Sequence, residues 1–220
     1  MPLSQTEENY LKAVYKIAEL DQGSVSTNAI AKMMKTSAAS VTDMIKRLSE
    51  KEYVYYKKYY GVELTALGKS TATLLIRKHR LWETFLVSKL NFSWEEVHDI
   101  AEQLEHIQSD KLIEQLDEFL EHPKFDPHGD PIPNPEGKFT LRSQTTLAEM
   151  NIGEQGHVIG VKIHDTPFLQ HLNQIGIQMN TSLQIVAKQD YDQSTTVLLN
   201  DDQVHLSEKV ATQILLKKNK

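Results

Sequence analysis

The segment SAASVTDMIKRLSEKEYVYYKKYYGVELT, residues 37–65, decides the fold of the N-terminal part of the chain. Its first half has a helical period, because apolar residues recur at the spacing of one helix face. Its second half is rich in β-branched and aromatic residues and has Gly61 near a turn, which predicts a two-stranded hairpin. The apolar face of the predicted helix consists of Val41, Met44, Ile45 and Leu48.

Two helices are predicted before this segment and one after it. Ser4 and Glu7 form a capping box, and a helical period follows to about residue 20. Thr27 can cap a short second helix, and Thr65 can cap a long helix after the hairpin. Three helices followed by a hairpin predict a winged helix-turn-helix, in which the third helix enters the major groove of DNA.

The predicted third helix and hairpin suit contact with DNA. Small side chains at the start of the helix permit close approach to base edges, and basic side chains can contact phosphates. Residues 35–69 hold seven Lys or Arg against four Asp or Glu, although the whole chain has a net charge of −6. The alternative is a helical domain with a solvated, lysine-rich hairpin. The candidate DNA contacts are Ser37, Ala39, Ser40, Thr42, Asp43, Lys46, Arg47, Lys57 and Lys58.

The remainder of the chain predicts a second helical region and a small β domain. Residues 122–139 carry five of the seven prolines, which predicts an irregular linker. Beyond about Ser143, short apolar runs alternate with turn residues around one helix near residues 168–176. This pattern predicts a small domain resembling a β-barrel. The expected fold is therefore mainly α with a small β domain.

Composition narrows the class of protein. The 220 residues suffice for two or three domains, and 40% hydrophobic with 25% charged residues is typical of a globular protein. The chain has no cysteine, which excludes disulfides, thiolate metal sites and thiol nucleophiles. No apolar run is long enough to span a bilayer, and the first residues lack the pattern of a signal peptide. We therefore expect a cytoplasmic location and no membrane partner.

The stretch EVHDIAEQLEH, residues 96–106, combines two histidines with four carboxylates. On a helix, which Ser93 and Glu96 would open with a capping box, four of these side chains fall within about a quarter turn. Grouped carboxylates repel one another, and a bound divalent cation reverses that effect. A solvated acidic face is the simpler alternative. The four side chains are those of His98, Glu102, Glu105 and His106.

A second pair of ligand-type residues, His79 and Glu83, lies four residues apart on one face of the preceding helix. Each alone is more simply structural, but two antiparallel helices could join them to the 96–106 stretch, as in metal sites of helical bundles. Imidazole and carboxylate without sulfur suit manganese, ferrous iron, cobalt or zinc, and carboxylate-rich sites favour manganese.

The segments TEENYLKAVY, SAASVTDMIKRLSEKEYV, RKHRLWETFL, EVHDIAEQLEH and PHGDPIPNP occur in an order that resembles the diphtheria-toxin-repressor family of metal-dependent regulators. Residues 4–140 resemble the family closely, in particular its manganese transport regulators, and the C-terminal region resembles the SH3-like (FeoA-like) domain of longer members. The resemblance implies no enzymatic activity and no small organic substrate. It implies a winged helix-turn-helix at 1–72, a helical metal-binding and dimerisation domain at 73–142 and an SH3-like β-barrel at 143–220.

The resemblance also implies a homodimer bound to a double-stranded DNA operator and two ions per subunit, Mn²⁺ or alternatively Fe²⁺. Asp126 and His128 resemble further ligands of the second ion, and His164 or Asp165 lies near a ligand position of the C-terminal domain. The ligands implied for the first ion are Asn9, Glu102, Glu105 and His106, and those for the second ion are His79, Glu83 and His98.

At two positions this chain carries a residue that differs from the one found in a branch of the family. Glu102 stands where iron-responsive members carry Cys, which resembles the manganese-responsive branch. Asn9 stands where that branch usually has Asp, so the amide brings no negative charge. Glu8, one residue earlier, is a candidate substitute ligand, although one residue turns it by about 100° around the helix. In this interpretation a cation links the first helix to the helical domain and sets the spacing of two recognition helices on DNA.

Two other functional classes are compatible with the residues alone. A metal-dependent hydrolase with two adjacent cations would use the same carboxylates, but no separate base or oxyanion donor is evident. A DNA-binding protein that senses an organic ligand through an apolar bundle would not depend on Glu102 or His106. Binding to a duplex that carries the protein's own promoter distinguishes a regulator from the hydrolase. Regulation that survives Glu102→Ala and His106→Ala distinguishes the sensor of an organic ligand.

Overall fold

The structure is a computed structural model that describes residues 3–21, 24–57 and 60–219. Backbone contacts divide the chain into two compact units. The first unit contains Met1–His79, Glu102–Ile113 and Pro133–Phe139, and the second contains Arg80–Ala101, Glu114–Ile132 and Thr140–Lys220. Lys58, a candidate DNA contact, lies outside the described residues. The division into three domains at residues 72 and 142 stays a prediction.

The first unit contains the predicted winged helix-turn-helix. Its antiparallel hairpin pairs Val54 with Leu64, and Val25 adds a bridge to Val62 beside the hairpin. The third helix begins at the N-cap Ser37, whose hydroxyl accepts a hydrogen bond from the backbone of Ser40. The elements are α1 (Gln5–Asp21), α2 (Thr27–Met33), α3 (Ala38–Glu50), β1 (Val54–Lys57), β2 (Gly61–Leu64) and the start of α4 (Ala66–Leu90).

The helix periods predicted from sequence bury the expected faces. Val41, Ile45 and Leu48 of α3 are fully buried against Leu11 of α1 and Ile30 of α2 in one hydrophobic core. Each such side chain contributes about 1.5–3 kcal/mol relative to remaining exposed. This core fixes the orientation of α1, which supplies several residues of the candidate site described below.

Two local predictions in the helical region were wrong in detail. The N-cap of α2 is Ser26 rather than Thr27. The helix predicted over 96–106 is shorter, because α5 spans His98–Leu104 and leaves the two residues that follow in a turn. The backbone N–H and the hydroxyl of Ser93 both donate to Oε2 of Glu96, but a turn separates this pair from α5. The next helix, α6, spans Asp110–Phe119.

The second unit contains a six-stranded antiparallel sheet in the order β3-β8-β4-β5-β6-β7. Its core includes Leu169, Leu172, Leu183 and Ile185, together with Trp94 from the segment after α4. The SH3-like domain predicted from sequence is therefore present, as a sheet with β3 and β7 at its ends. Its elements are β3 (Thr145–Thr146), a 3-10 turn (Leu147–Glu149), β4 (Gln155–Val161), α7 (Thr166–Gln174), β5 (Ser182–Lys188), β6 (Thr195–Leu199), β7 (Asp202–Leu206), α8 (Glu208–Ala211) and β8 (Ile214–Lys218).

The proline-rich loop after α6 is irregular, as predicted, but it is anchored to the sheet of the second unit. The backbone carbonyl of His128 accepts a hydrogen bond of 2.9 Å from the backbone of Val161. Gly129 has φ +89°, and a Cβ there would lie 2.1 Å from the carbonyl oxygen of Ile159. Only glycine fits this close approach without strain. The loop therefore presents Asp126 and His128 from a fixed backbone.

Candidate metal centre

One group of ligand-type side chains lies in the first unit, and we call it the first cluster. Residues 8–12 of α1, one residue of α4 and the end of α5 with its following turn contribute to it. The winged-helix core holds α1 in place. Because α5 ends at Leu104, Glu105 and His106 lie in the turn that follows, where they contact side chains of α1. The members are Glu8, Asn9, Lys12, His79, Glu102, Glu105 and His106.

Glu105 is at the centre of the first cluster and is fully buried. Its Oε2 lies 2.7 Å from Nδ1 of His79, and its Oε1 lies 2.5 Å from Nζ of Lys12. The same ammonium lies 2.6 Å from Oε1 of Glu102, and Nδ1 of His106 lies 2.5 Å from Oε2 of Glu8. Oxygen and imidazole donors thus converge from three separate segments of the chain.

The donor set of the first cluster fits a divalent cation. Single ligand atoms of His79, Glu102 and Glu105 all lie within 4.8 Å of one another. Asn9 supplies a further observation, because its Oδ1 is buried and has no hydrogen-bond partner among the described residues. A buried amide oxygen without a partner is costly, and coordination of a hard cation would satisfy it. The residues present therefore fit the metal that the sequence suggested.

A second group lies in the second unit, and we call it the second cluster. Ligand atoms of Glu83, Asp126 and His128, all buried, lie within 4.8 Å of one another. Nδ1 of His128 is 3.5 Å from Oε2 of Glu83, and Nδ1 of His98 is 3.6 Å from Oε1 of the same carboxylate. Arg80 faces this group, with Nε 3.5 Å from Oδ2 of Asp126.

The imidazole of His128 is oriented by its surroundings. Its Nε2 lies 2.7 Å from the backbone carbonyl of Trp94, so Nε2–H must donate to that oxygen. The other nitrogen, Nδ1, is buried and lies 3.5 Å from Oε2 of Glu83. A carbonyl that fixes the tautomer in this way is a common feature of metal-binding histidines.

Burial and neighbouring charges shift the acidity of the second cluster. Burial and the carboxylates of Glu83 and Asp130 raise the pKa of Asp126 to about 7, although Arg80 and His128 act in the opposite direction. Burial alone would lower the pKa of His128, but the hydrogen-bonding and charge effects of Glu83, with the charge of Asp126, raise it to about 9. Binding of a cation to these groups would therefore be favoured by higher pH, because the ligands must be free of protons.

The C-terminal sheet domain places one of its two candidate residues beside the second cluster. The ring of His164 stacks on that of His128, with centroids 4.6 Å apart. Its Nε2 lies 4.0 Å from Oδ2 of Asp130, and burial lowers its pKa. Asp165 instead serves as the N-cap of α7, where it accepts a hydrogen bond from the backbone of Phe168.

The candidate DNA-facing residues are mostly exposed on α3 and β1. Thr42 is half-buried and donates to the carbonyl of Ala38, and Ser37 is occupied as the N-cap. These two residues therefore have structural roles in addition to the predicted one. The exposed candidates are Ser37, Ala39, Ser40, Asp43, Lys46, Arg47 and Lys57.

Sequence reasoning missed two features of the first cluster. Lys12 was not singled out, although it lies three residues after Asn9 on α1 and therefore shares its face. Glu8 was considered only as a substitute ligand, whereas its carboxylate pairs with His106 and also accepts from Nε2 of Gln108 at 2.8 Å. The helical spacing was the available signal, but it does not reveal the partner.

A winged helix-turn-helix, together with two clusters of carboxylate and imidazole donors in the same chain, defines a metal-dependent DNA-binding regulator. Comparison with known proteins supports this class and identifies the family. Residues 2–62 match the family described as "Iron dependent repressor, N-terminal DNA binding domain". Residues 65–134 match "Iron dependent repressor, metal binding and dimerisation domain", and residues 145–218 match "FeoA domain".

Individual relatives agree with the family assignment. The diphtheria toxin repressor of Corynebacterium glutamicum is 30% identical over 189 residues, which are 85% of this chain and 77% of that protein. That of Corynebacterium jeikeium is 34% identical over 132 residues, 60% of this chain and 54% of that protein. A solved manganese-dependent transcriptional repressor in complex with manganese is 33% identical, with a TM-score of 0.84 over 97% of this chain and 100% of that chain.

The chain therefore belongs to the iron-dependent repressor family, in its long form with a C-terminal FeoA domain. It is a metal-dependent transcriptional repressor with a DNA-binding and a dimerisation domain. Members of this family are DNA-binding repressors and not enzymes, so the hydrolase interpretation is not retained. Within the described residues, no helix combines the length and apolar character needed to cross a membrane.

Proposed function

We propose that this protein represses metal-uptake genes in response to manganese, with ferrous iron as the alternative signal, and that it binds its operator as a homodimer. The observation that carries the proposal is the first cluster. Among the residues that the structure describes, it offers oxygen and imidazole donors, and the buried amide oxygen of Asn9 has no hydrogen-bond partner there. Such a hard donor set suits manganese, and because zinc and copper would bind it at least as tightly, selectivity depends on geometry and on the availability of the metal in the cell. The related structure is itself that of a manganese-dependent repressor.

The first ion would be held by Asn9, Glu102, Glu105 and His106. Bound there, it would supply two positive charges that neutralise the carboxylates of Glu102 and Glu105. These ligands come from α1 and from the 102–106 segment, so the set ties the first helix of the winged helix to that segment. His79 contacts Glu105 at 2.7 Å and would orient its carboxylate.

The second ion would be held by Glu83, Asp126 and His128, with His98 near Glu83 at 3.6 Å. The resemblance of the sequence also assigns His79 to this ion, and this assignment stays a prediction beside the 2.7 Å contact of its Nδ1 with Oε2 of Glu105. This gives two ions per subunit. The Trp94 carbonyl holds the imidazole of His128 in the tautomer that leaves Nδ1 available as a ligand.

On the DNA, α3 would enter the major groove, and the hairpin would contact the backbone. Lys46, Arg47 and Lys57 would contact phosphates, while Ser40 and Ala39 allow close approach to base edges. In a two-fold dimer, two α3 helices must reach successive major grooves about 34 Å apart. By tying α1 to the 102–106 segment, the first-ion ligands would favour the arrangement that meets this spacing. A regulator of genes acts beside the chromosome, so we place it in the cytoplasm.

The test is operator binding with and without manganese. A labelled duplex carrying the protein's own promoter is titrated with protein in Mn²⁺ and in strong chelator, and anisotropy gives the two Kd values. We expect Mn²⁺ to tighten binding at least tenfold, which corresponds to about 1.4 kcal/mol. His106→Ala should lose this response. His122→Ala is the control, because that exposed histidine pairs only with Asp117 among the interactions described and lies in neither cluster.

Equal affinity in chelator and in Mn²⁺ would contradict the coupling of metal to DNA. A response that survives in His106→Ala would instead indicate that the metal responsible binds at a different site. Repeating the titration with Fe²⁺ under anaerobic conditions decides between the two candidate metals.

A further inference from the structure

Lys12 occupies the position in the first cluster where a cation would be expected to bind. Its Nζ lies 2.6 Å from Oε1 of Glu102 and 2.5 Å from Oε1 of Glu105. The lysine is only 5% exposed, and Glu105 is not exposed at all. Buried lysines are uncommon unless they are paired, and this one is paired with two carboxylates that the proposed function assigns to a metal.

The ammonium and a metal ion cannot use these two oxygens together. A divalent cation coordinated by carboxylate oxygens lies about 2.0–2.2 Å from them, so it would need the space that Nζ fills. The two positive charges would also repel each other strongly in a buried environment. Binding of a metal to these two oxygens of Glu102 and Glu105 therefore requires the lysine side chain to leave.

We propose that Lys12 is a built-in cation that holds the two carboxylates together in the metal-free protein and that metal binds by exchanging with it. The proposal rests on the proposed function, because it assumes that Glu102 and Glu105 bind the first ion. It adds a residue that sets the metal concentration to which the protein responds. Each metal ion must displace an existing ion pair, so the apparent affinity is lower than the ligands alone would provide.

The charges of the cluster support an exchange. Glu102 and Glu105 carry two negative charges, which a divalent cation balances in full and the ammonium balances only by half. Asn9 brings an oxygen but no charge, so it binds a cation without adding to the repulsion when no metal is present. Lysine also has a flexible four-carbon side chain, which can withdraw while α1 stays in place.

A second lysine–glutamate pair in the same unit provides a matched control for Lys12. Lys51 lies 2.7 Å from Oε1 of Glu7, which is also on α1, and its side chain is 32% exposed. This second lysine–glutamate pair does not include Glu102 or Glu105. Replacing each lysine by methionine removes the same charge from the same unit, so only the position of the lost ammonium differs.

The experiment measures Mn²⁺ binding directly, by the loss of the free Mn²⁺ signal in electron paramagnetic resonance. We expect Lys12→Met to lower the Kd of one Mn²⁺ site at least tenfold, and Lys51→Met to leave it within about twofold. Lys12→Arg, which keeps a cation at the same position, should not tighten binding. An unchanged or weaker Mn²⁺ site in Lys12→Met overturns the proposal, because the lysine would then be neutral or supportive toward the metal.

A second measurement uses the wild-type protein and does not depend on the folding of any variant. Amine-reactive labelling, followed by peptide mass spectrometry, compares Lys12 and Lys51 with and without saturating Mn²⁺. We expect Mn²⁺ to increase the labelling of Lys12 several-fold, because the ammonium is released, and to leave Lys51 unchanged. Labelling of Lys12 that does not change with Mn²⁺ overturns the exchange.

Glu105→Gln separates failure of this inference from failure of the proposed function. If Glu105→Gln does not weaken Mn²⁺ binding, the first cluster is not the metal site and both proposals fail. If it weakens Mn²⁺ binding while Lys12→Met has no effect, the metal site stands and only the exchange is refuted.

Discussion

Replacing Glu105 by glutamine should destabilise the metal-free protein more than replacing any other carboxylate of the first cluster. Glu105 is fully buried and contacts both Lys12 and His79. Removing one partner of a buried ion pair costs about 3–5 kcal/mol, because the remaining charge stays buried. Lys12 keeps Glu102 at 2.6 Å, so we expect the lower end, about 3 kcal/mol.

This loss corresponds to a fall in Tm of about 6–12 °C, since 1 kcal/mol shifts the Tm of a chain of this size by about 2–4 °C. The control is Glu102→Gln, whose side chain is 30% exposed and whose loss leaves Lys12 paired with Glu105. We expect about 1 kcal/mol for this control, because partly exposed pairs are screened by solvent.

The assay has two parts. Thermal unfolding in chelator, followed by circular dichroism, gives the Tm of each variant. Hydrogen exchange of peptides from α1 then shows whether the loss is located in the first unit, because Lys12 lies on that helix. Adding Mn²⁺ should raise the Tm of the wild type more than that of Glu105→Gln, which keeps only the second cluster intact. A Tm of Glu105→Gln within about 2 °C of the wild type, or a loss no larger than in Glu102→Gln, would refute the reasoning.

Three further outcomes can be measured. Arg47→Ala should weaken operator binding and lower the slope of log K against log salt by about 1, as expected for one lost phosphate contact, and an unchanged slope would exclude that contact. Gly129→Ala should destabilise the second unit by about 3 kcal/mol, because a Cβ would lie 2.1 Å from the carbonyl oxygen of Ile159, and urea unfolding followed by tryptophan fluorescence measures this. Hydrogen bonds from the side chain of Lys218 and the backbone N–H of Asn151 lower the pKa of Glu154 in the folded protein. The contribution of Glu154 to stability is therefore present above its unfolded pKa of 4.5, and it is lost as the pH falls through the lower pKa of the folded state. The difference in Tm between pH 7 and pH 3 should therefore be smaller in Glu154→Gln than in the wild type, and an equal difference would contradict the assignment.

Local sequence signals predicted the helical and hairpin elements well. The three helices and the hairpin of the winged helix depend on apolar periodicity, on capping residues such as Ser37 and Thr65, and on turn residues near Gly61, all of which act within a few residues. The cap of α2 was displaced by one residue, from Thr27 to Ser26, because two adjacent hydroxyl residues offer the same local chemistry.

Elements that depend on distant partners were predicted less well. The strand Ile214–Lys218 was not identified, although it lies between β3 and β4 in the sheet. The helix over residues 96–106 was predicted too long at both ends. The preceding turn contains Trp94, which is buried in the core of the sheet domain, and no local rule predicts that contact.

The sequence by itself determined the winged helix, a small β domain after about residue 143 and the chemical types of the metal ligands, because periodicity, capping and the absence of cysteine are properties of the chain alone. Only the tertiary structure decided which of these groups meet. Lys12 joins carboxylates 90 and 93 residues away, and His79 joins Glu105 across 26 residues. The partner of a charge is set by the packing of whole helices against a core, and that packing, more than the local sequence, brings a lysine to the position of a metal ion.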